Sequence, residues 1–226
     1  MINNRIAKIA VLIILVFPFS LIAQDYSKGI YEFETAVIKL VKTTSNQMVE
    51  TISTETIYVD KHGAKEARYV NEVTNNKIAN MKTEKNSLII SDGEWMYNID
   101  LDKKTGKKMK NLKNQFLEGM DKSNMEKFAK EMTGSMNADV EKVGEKEIAG
   151  VVCKGTETTT NFAGMKSKTT TYIYKNFVFL NQSETMGNKI EDKVIEFNEG
   201  ANVDAEKFKV PNDVKLQTID LPIGRD

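Results

Sequence analysis

Apolar side chains recur at every second position through most of this chain, and this pattern constrains the fold more than any other feature. In residues 95–101, for example, Trp95, Tyr97 and Ile99 occupy alternate positions. A period of two places successive side chains on opposite faces of a β-strand, whereas an amphipathic helix needs a spacing of three and four. The sequence therefore predicts a mainly β protein.

Turn signals separate these runs. Residues 60–63 (Asp-Lys-His-Gly), 92–93 (Asp-Gly), 175–176 (Lys-Asn) and 187–188 (Gly-Asn) carry the residue types that tight turns favour. The predicted strands cover residues 29–41, 48–59, 64–73, 88–90, 95–101, 147–153, 155–161, 168–174, 177–184 and 189–197. On the first strand we predict one shared face for Tyr31, Phe33, Thr35, Val37 and Val41. The short spacings favour an antiparallel meander of nine to eleven strands.

The spacing becomes helical in the middle of the chain. Ser123 and Glu126 form a capping box, and Met125, Phe128 and Met132 follow on one helical stripe. A helical turn is also predicted over residues 201–208. The fold class is therefore mainly β (α+β): a single curved antiparallel sheet or open half-barrel, lidded by one or two short helices.

The N-terminus resembles an export signal. Residues 1–23 contain Arg5, Lys8 and no acid, and an apolar run over residues 9–17 is too short for a membrane span. We predict cleavage near Ala23, with an uncleaved anchor as the alternative. The mature domain, residues 24–226, then has 30 basic and 32 acidic residues and is expected in the periplasm or secreted.

Nothing in the sequence encodes a recognisable reaction. One Cys cannot form an intramolecular disulfide, and one Cys with one His cannot complete a tetrahedral zinc site without carboxylates. His62 is expected to be a solvated turn residue, and Cys153 a small buried one. We predict no enzyme activity, no cofactor and no metal, and the near-zero net charge disfavours nucleic acid. A hydrolase built on carboxylates that the sequence does not pair is a minor alternative.

A cluster of lysines follows the strand that begins at Trp95. It comprises Lys103, Lys104, Lys107, Lys108, Lys110 and Lys113, with no acid between them. Contact with an anionic membrane surface or head group is one interpretation. The other is a solvated hairpin or a charged edge strand that discourages aggregation.

The order of these features resembles the periplasmic lipoprotein-carrier superfamily and a related envelope protein family of unknown function. The resemblance rests on residues 90–97, 143–151 and 208–211, and on the helix between two meanders. It implies an incomplete antiparallel barrel lidded by helices, with an apolar cavity for acyl chains. The functional basic residue of the carriers has no matching motif around Arg68.

These observations favour a binding protein that shelters an acyl chain or another hydrophobic ligand. The predicted lining residues are Trp95, Met125, Phe128, Met132, Tyr31 and Phe33. In this interpretation the methionine stripe adapts to different ligands, whereas in the alternative it is ordinary core. The alternative function is a non-catalytic envelope module with a solid core that docks another protein.

Overall fold

Twelve β-strands form one sheet in the computed structural model, which describes residues 29–111, 138–162, 165–185 and 187–219. The strands are β1 (Ala36–Ser45), β2 (Val49–Asp60), β3 (Lys65–Asn76), β4 (Met81–Ser91), β5 (Trp95–Asp100), β6 (Thr105–Lys110), β7 (Asp139–Ile148), β8 (Val151–Phe162), β9 (Met165–Tyr174), β10 (Phe177–Thr185), β11 (Asn188–Glu199) and β12 (Lys215–Thr218). The predicted helix at Met125, Phe128 and Met132 and the predicted signal peptide lie outside the described residues.

The sheet has the order β12-β6-β5-β4-β3-β2-β1-β11-β10-β9-β8-β7. Every neighbouring pair is antiparallel except β12 with β6. The sheet is open, because its end strands β12 and β7 do not pair with each other. The predicted mainly β, single-sheet architecture is confirmed. Within the described ranges, no helix is long and apolar enough to cross a membrane.

Two of the predicted turns take conformations that explain their sequences. Lys175 and Asn176 both have positive φ, 45° and 67°, as a two-residue hairpin turn requires. Residues Lys61–Gly63 form a 3₁₀ turn between β2 and β3. There Gly63 has φ 85°, and a Cβ would lie 2.7 Å from the Tyr31 ring, so this position demands glycine.

Two predictions about strands are wrong. Residues 147–153 are not one strand, because Ala149 and Gly150, with φ 49° and 83°, turn the chain between β7 and β8. The predicted face of the first strand also changes at Thr35. Residues 30–34 form bends, not a strand, and they hydrogen-bond to the turn between β2 and β3. As a result Phe33 and Ala36 are both buried, and Val37 belongs to the opposite face.

The cross-strand pairs assign the side chains of β1–β6 to two faces. One face carries Ala67, Leu88, Ile90 and Ile99, all fully buried, and we call it the Ile90 face. The Glu55 face is the opposite face of β1–β4, with Leu40, Lys42, Ser53, Glu55, Glu66, Arg68, Val70, Ser87 and Ile89. Side chains of directly paired residues point to the same side of a sheet, which is the basis of this assignment.

The C-terminal segment covers the Ile90 face. A 3₁₀ helix, Ala205–Phe208, is capped by Asp204, whose carboxylate accepts a hydrogen bond from Glu206 N at 2.9 Å, as the predicted helical turn required. Phe208 is 9% exposed and packs on the apolar cluster of this face together with Val203, Val210 and Val214. The C-terminal segment therefore covers the part of the Ile90 face that Ala67, Leu88, Ile90 and Ile99 form.

A second, larger core is rich in aromatic residues. Phe33, Phe177, Phe179 and Phe197 contact one another with ring centroids 5.0–6.3 Å apart. This core also includes strand residues such as Ile38, which is fully buried. Edge-to-face aromatic packing of this kind stabilises a core beyond the area that it buries.

Candidate functional site

A cavity of about 270 Å³ lies on the Glu55 face, across strands β1 to β4. Its lining residues are Lys42, Thr44, Thr51, Ser53, Glu55, Val70, Glu72, Ser87 and Ile89. Four of these side chains carry hydroxyl groups, two are aliphatic and three are charged. The cavity therefore offers both apolar contact and hydrogen bonds in one place.

Glu55 is the centre of an ion-pair network in the floor of this cavity. Its side chain is 4% exposed, and its two carboxylate oxygens accept from Lys42 Nζ at 2.9 Å and from Arg68 Nη1 at 3.1 Å. Arg68 Nη2 donates to Glu66 at 2.9 Å, and the Tyr31 hydroxyl donates to the other oxygen of Glu66 at 2.9 Å. A carboxylate this deeply buried requires such partners, because burying an unpaired charge costs several kcal/mol.

The network also shifts the protonation of its neighbours. Burial disfavours the charged guanidinium of Arg68, but Glu66 and Glu55 outweigh burial and raise its pKa. Asp192 on β11 pairs across from Lys42. Burial raises the pKa of Asp192, and the negative charge of Glu55 adds to this effect while Lys42 opposes it.

Ser53 is the unusual member of the cavity lining. It is 6% exposed, and its hydroxyl has no hydrogen-bond partner within the described part of the chain. Lys42 and Glu72 stand directly opposite Ser53 on the neighbouring strands. Buried hydroxyl groups are normally hydrogen-bonded, so this one marks a place where a partner is missing.

A second cavity, of about 540 Å³, lies at the ends of β1, β9, β10 and β11. Lys166, Lys168 and Lys189 line it together with Glu184 and Glu191. Lys168 pairs with Glu157 at 2.8 Å, and Gln182 donates to Glu191 at 2.6 Å. Because its charged lining residues are exposed and carry both signs of charge, this cavity is open to solvent.

The described residues of the predicted ligand lining do not meet in one place. Tyr31 and Phe33 stack at 5.1 Å inside the aromatic core. Trp95 lies on the Ile90 face, half-buried beneath Lys108 and Lys110, whose ammonium groups are 3.9 and 4.2 Å from its ring centroid. Because Met125, Phe128 and Met132 fall outside the described residues, the lining as a whole stays a prediction.

The predicted lysine cluster is largely paired with acids and aromatic rings. Lys103 pairs with Asp100 at 3.4 Å, Lys104 with Asp213 at 2.7 Å and Lys110 with Glu94 at 2.7 Å. These acids reduce the positive potential that an anionic surface would meet. Lys107 is exposed, Lys108 lies over Trp95, and Lys113 is outside the described residues.

The position of strand β6 fits the second interpretation of these lysines, a charged strand near an edge. This strand lies next to the sheet edge, and among the described strands the short β12 is its sole neighbour on that side. Charged side chains near an edge disfavour pairing with other chains. Anionic contact by this cluster stays a prediction.

Three large apolar side chains are exposed at one end of the sheet. Met48 is 54% exposed, Ile78 74% and Met81 59%, all in or beside the turns after β1 and β3. Lys77 N donates to Met48 O at 2.8 Å, which holds the two turns together. We call these three apolar side chains the apolar tip.

His62 lies in the turn between β2 and β3. His62 is half-buried rather than simply solvated: its Nδ1 lies 3.1 Å from Tyr31 O, and its own carbonyl accepts from Ile30 N and Tyr31 N. It ties the N-terminal segment to the β2–β3 turn.

Cys153 is fully buried as predicted, and burial raises the pKa of its thiol to about 11, which makes the thiolate scarce.

Sequence reasoning missed Glu55 and Ser53, the residues that define the site. A signal was present, because residues 55, 57 and 59 share one face and only the first is charged. An acid in register with buried Ile57 and Val59 indicates a buried ion pair or a site. Its partner Arg68 becomes evident only from the strand register.

No family model matches the chain, and no curated protein matches it. Solved structures that align with it include an uncharacterized conserved protein from Thermus thermophilus, with a TM-score of 0.48, 7% identity and coverage of 83% of this chain and 92% of that one. LprF from Mycobacterium bovis aligns with a TM-score of 0.37, 11% identity and coverage of 87% and 96%.

A beta-barrel-like protein of the DUF1849 domain from Brucella abortus aligns with a TM-score of 0.39, 8% identity and coverage of 76% and 100%. The resemblance to the lipoprotein carriers stays a prediction.

Proposed function

We propose that this chain is an exported, non-catalytic binding protein that holds an acyl chain or another hydrophobic ligand against the Glu55 face. The proposal rests on one observation: other parts of the chain cover the two faces of the same strands to different extents. Phe208 and its neighbours cover the apolar cluster of Leu88, Ile90 and Ile99 on one face, whereas the part of the Glu55 face around Ser53 has a cavity of about 270 Å³ that no described residue fills. A site for a small molecule has this concave form.

The lining of the cavity suits a ligand that is apolar along part of its length. Val70 and Ile89 are half-buried and adjoin the cavity, with Thr44 and Thr51 adding methyl groups. The volume lies just below the usual range for small-molecule sites, about 300–1,000 Å³. The cavity would therefore hold one end of an acyl-chain ligand rather than the whole molecule.

The test is native mass spectrometry of residues 24–226 purified without detergent, followed by titration with a fluorescent acyl-chain probe. We expect an added mass that organic extraction releases, and probe binding that Ile89→Asp weakens at least about tenfold by placing a charge in the cavity. Ile52→Asp is the matched control, because Ile52 is exposed on the opposite face of β2. A bare mass with no probe binding would refute the proposal.

A second function has its own observation: contact with an anionic lipid bilayer through the apolar tip. Residues 43–49 carry no charge, and residues 74–83 carry Lys77 and Lys82 but no acid. Large apolar side chains with adjacent lysines are the composition that binds the interface of an anionic membrane. This contact would place the protein at a membrane, which is a source of hydrophobic ligands.

Vesicle co-sedimentation tests this contact. The wild type should bind phosphatidylcholine vesicles that contain phosphatidylglycerol, and replacement of Met48, Ile78 and Met81 by serine should abolish binding. Replacement of Val140 and Val152 by serine is the control, since these residues are 47% and 55% exposed on β7 and β8. Equal binding by both variants would exclude the apolar tip.

A further inference from the structure

The hydroxyl group of Ser53 is directed into the cavity and has no hydrogen-bond partner among the described residues. It lines the cavity, it is more than nine-tenths buried, and no described group bonds to it. An unmade hydrogen bond of a buried hydroxyl costs about 1–3 kcal/mol, so a ligand group that bonds to Ser53 would recover that energy. We therefore expect the ligand to place a polar atom beside the Ser53 hydroxyl.

The charges around Ser53 restrict what that polar atom belongs to. The cavity lining has one cation, Lys42, and two carboxylates, Glu55 and Glu72. Lys42 is already held by Glu55 at 2.9 Å, and Arg68, which also pairs with Glu55, bonds to Glu66 as well. No basic side chain in the described lining is left to neutralise an incoming anion.

Glu72 is exposed and directly opposite Ser53, so it would repel a carboxylate or a phosphate placed beside the hydroxyl. A hydroxyl group of the ligand has the opposite effect, because it can donate to Glu72 and accept from Ser53 at once. Thr44 and Ser87 add further hydroxyl partners within the same lining.

We propose that the polar end of the ligand is an uncharged hydroxyl-bearing group bonded to Ser53, of the kind found in a monoacylglycerol, and not a free carboxylate. This inference rests on the proposed binding function and specifies the ligand class of the same cavity. It places the head group at Ser53 and the start of the chain against Val70 and Ile89.

The experiment compares a monoacylglycerol with the fatty acid of the same chain length, each displacing a fluorescent acyl-chain probe at neutral pH. We expect the monoacylglycerol to bind at least about tenfold more tightly, because the fatty acid is ionised and meets Glu72. Ser53→Ala should weaken only the monoacylglycerol, by about threefold to tenfold, which is the effect of one neutral hydrogen bond.

Thr54→Val is the matched control, since Thr54 is exposed on the other face of β2 and loses only a hydroxyl group. Equal affinity for the two ligands, or an equal effect of Ser53→Ala on both, would overturn the head-group assignment while leaving the binding function intact. Failure of the wild type to bind the probe and both ligands would instead refute the binding function itself.

Discussion

The Ile90 face and the Glu55 face are built from the same strands but stabilised by different interactions. On the Ile90 face, Leu88, Ile90 and Ile99 are fully buried beneath the segment that contains Phe208. On the Glu55 face, Glu55 and Arg68 occupy comparable positions and need each other to be there. Elsewhere on the Glu55 face Ile38, Ile57 and Val59 are fully buried, so only the part around the cavity is held by charge pairing rather than by apolar packing.

This difference bears on function because the two kinds of interaction leave different surfaces. A packed apolar face fills its space, whereas paired charges hold their side chains in fixed positions and leave room between them. The hydroxyl group of Ser53, which has no hydrogen-bond partner among the described residues, lines the cavity beside this network. Four predictions, in decreasing order of effect, test the comparison.

The largest effect is expected from Ile90→Ala, which empties a fully buried site under the C-terminal segment. We expect a loss of about 3 kcal/mol in the free energy of unfolding, measured by urea denaturation. Ile89→Ala, one residue away on the cavity side and only half-buried, should cost about 1 kcal/mol. Equal losses would mean that the two faces are packed alike.

Glu55→Gln should cost about 2 kcal/mol, because Lys42 and Arg68 lose the charge that both of them share. Glu196→Gln is the control: its pair with Lys39 is 2.6 Å long, but both side chains are about half exposed. Such surface pairs contribute at most about 1 kcal/mol. A double-mutant cycle with Arg68→Gln should give strong coupling, and additive losses would contradict the network.

Asp192→Asn should change the dependence of stability on pH by a smaller amount. The pKa of Asp192 is raised by burial above its ordinary value of 3.8, so the folded state binds the proton more tightly than the unfolded state. Wild-type stability from this residue is therefore lost as the pH rises from 3.8 through the folded pKa.

The difference between the wild-type and Asp192→Asn unfolding profiles, taken across that pH range, isolates this contribution. We expect the variant to gain stability relative to the wild type as the pH rises. A difference that is flat with pH, or that slopes in the opposite direction, would show that Asp192 is not buried beside Glu55.

The smallest effect has the opposite sign. Ser53→Ala removes a buried hydroxyl without a partner in the described structure and should raise the stability of the ligand-free protein by up to about 1 kcal/mol. Ser91→Ala is its counterpart on the same face, because the Ser91 hydroxyl accepts from Asn111 Nδ2 at 2.8 Å. That variant should lose about 1 kcal/mol in the same urea titration, and a loss in both would show that Ser53 has a partner.

Local sequence signals were sufficient for most of the strands and turns. The Asp92-Gly93 and Lys175-Asn176 turns were predicted correctly, since residue types that tolerate positive φ are visible in the sequence. The Ala149-Gly150 turn was missed, because Ala149 is a poor turn residue and apolar side chains continue on both sides of it. Gly150 alone favours a turn here, and one such residue within an apolar run does not distinguish a turn from a continuous strand.

The candidate site was harder to predict, since it depends on which strands pair and in what register. Arg68 meets Glu55 only because β3 aligns Arg68 with Ile57, the next residue after Glu55 on the same face of β2. The cover of the Ile90 face was hidden for a similar reason, as Val203, Phe208 and Val210 are isolated apolar residues in a polar segment. Long-range pairing, rather than propensity, decides both features.

The position of β1 in the middle of the sheet has a consequence for how the chain folds. Among the antiparallel pairs, only β1 with β11 joins strands that are distant in the sequence, while every other such pair of described strands joins consecutive ones. Strands β1–β6 and β7–β11 can each form by successive hairpins, which requires only short loop closures. Joining the two halves along β1 and β11 then closes a loop of most of the chain, and this step should limit the rate of folding.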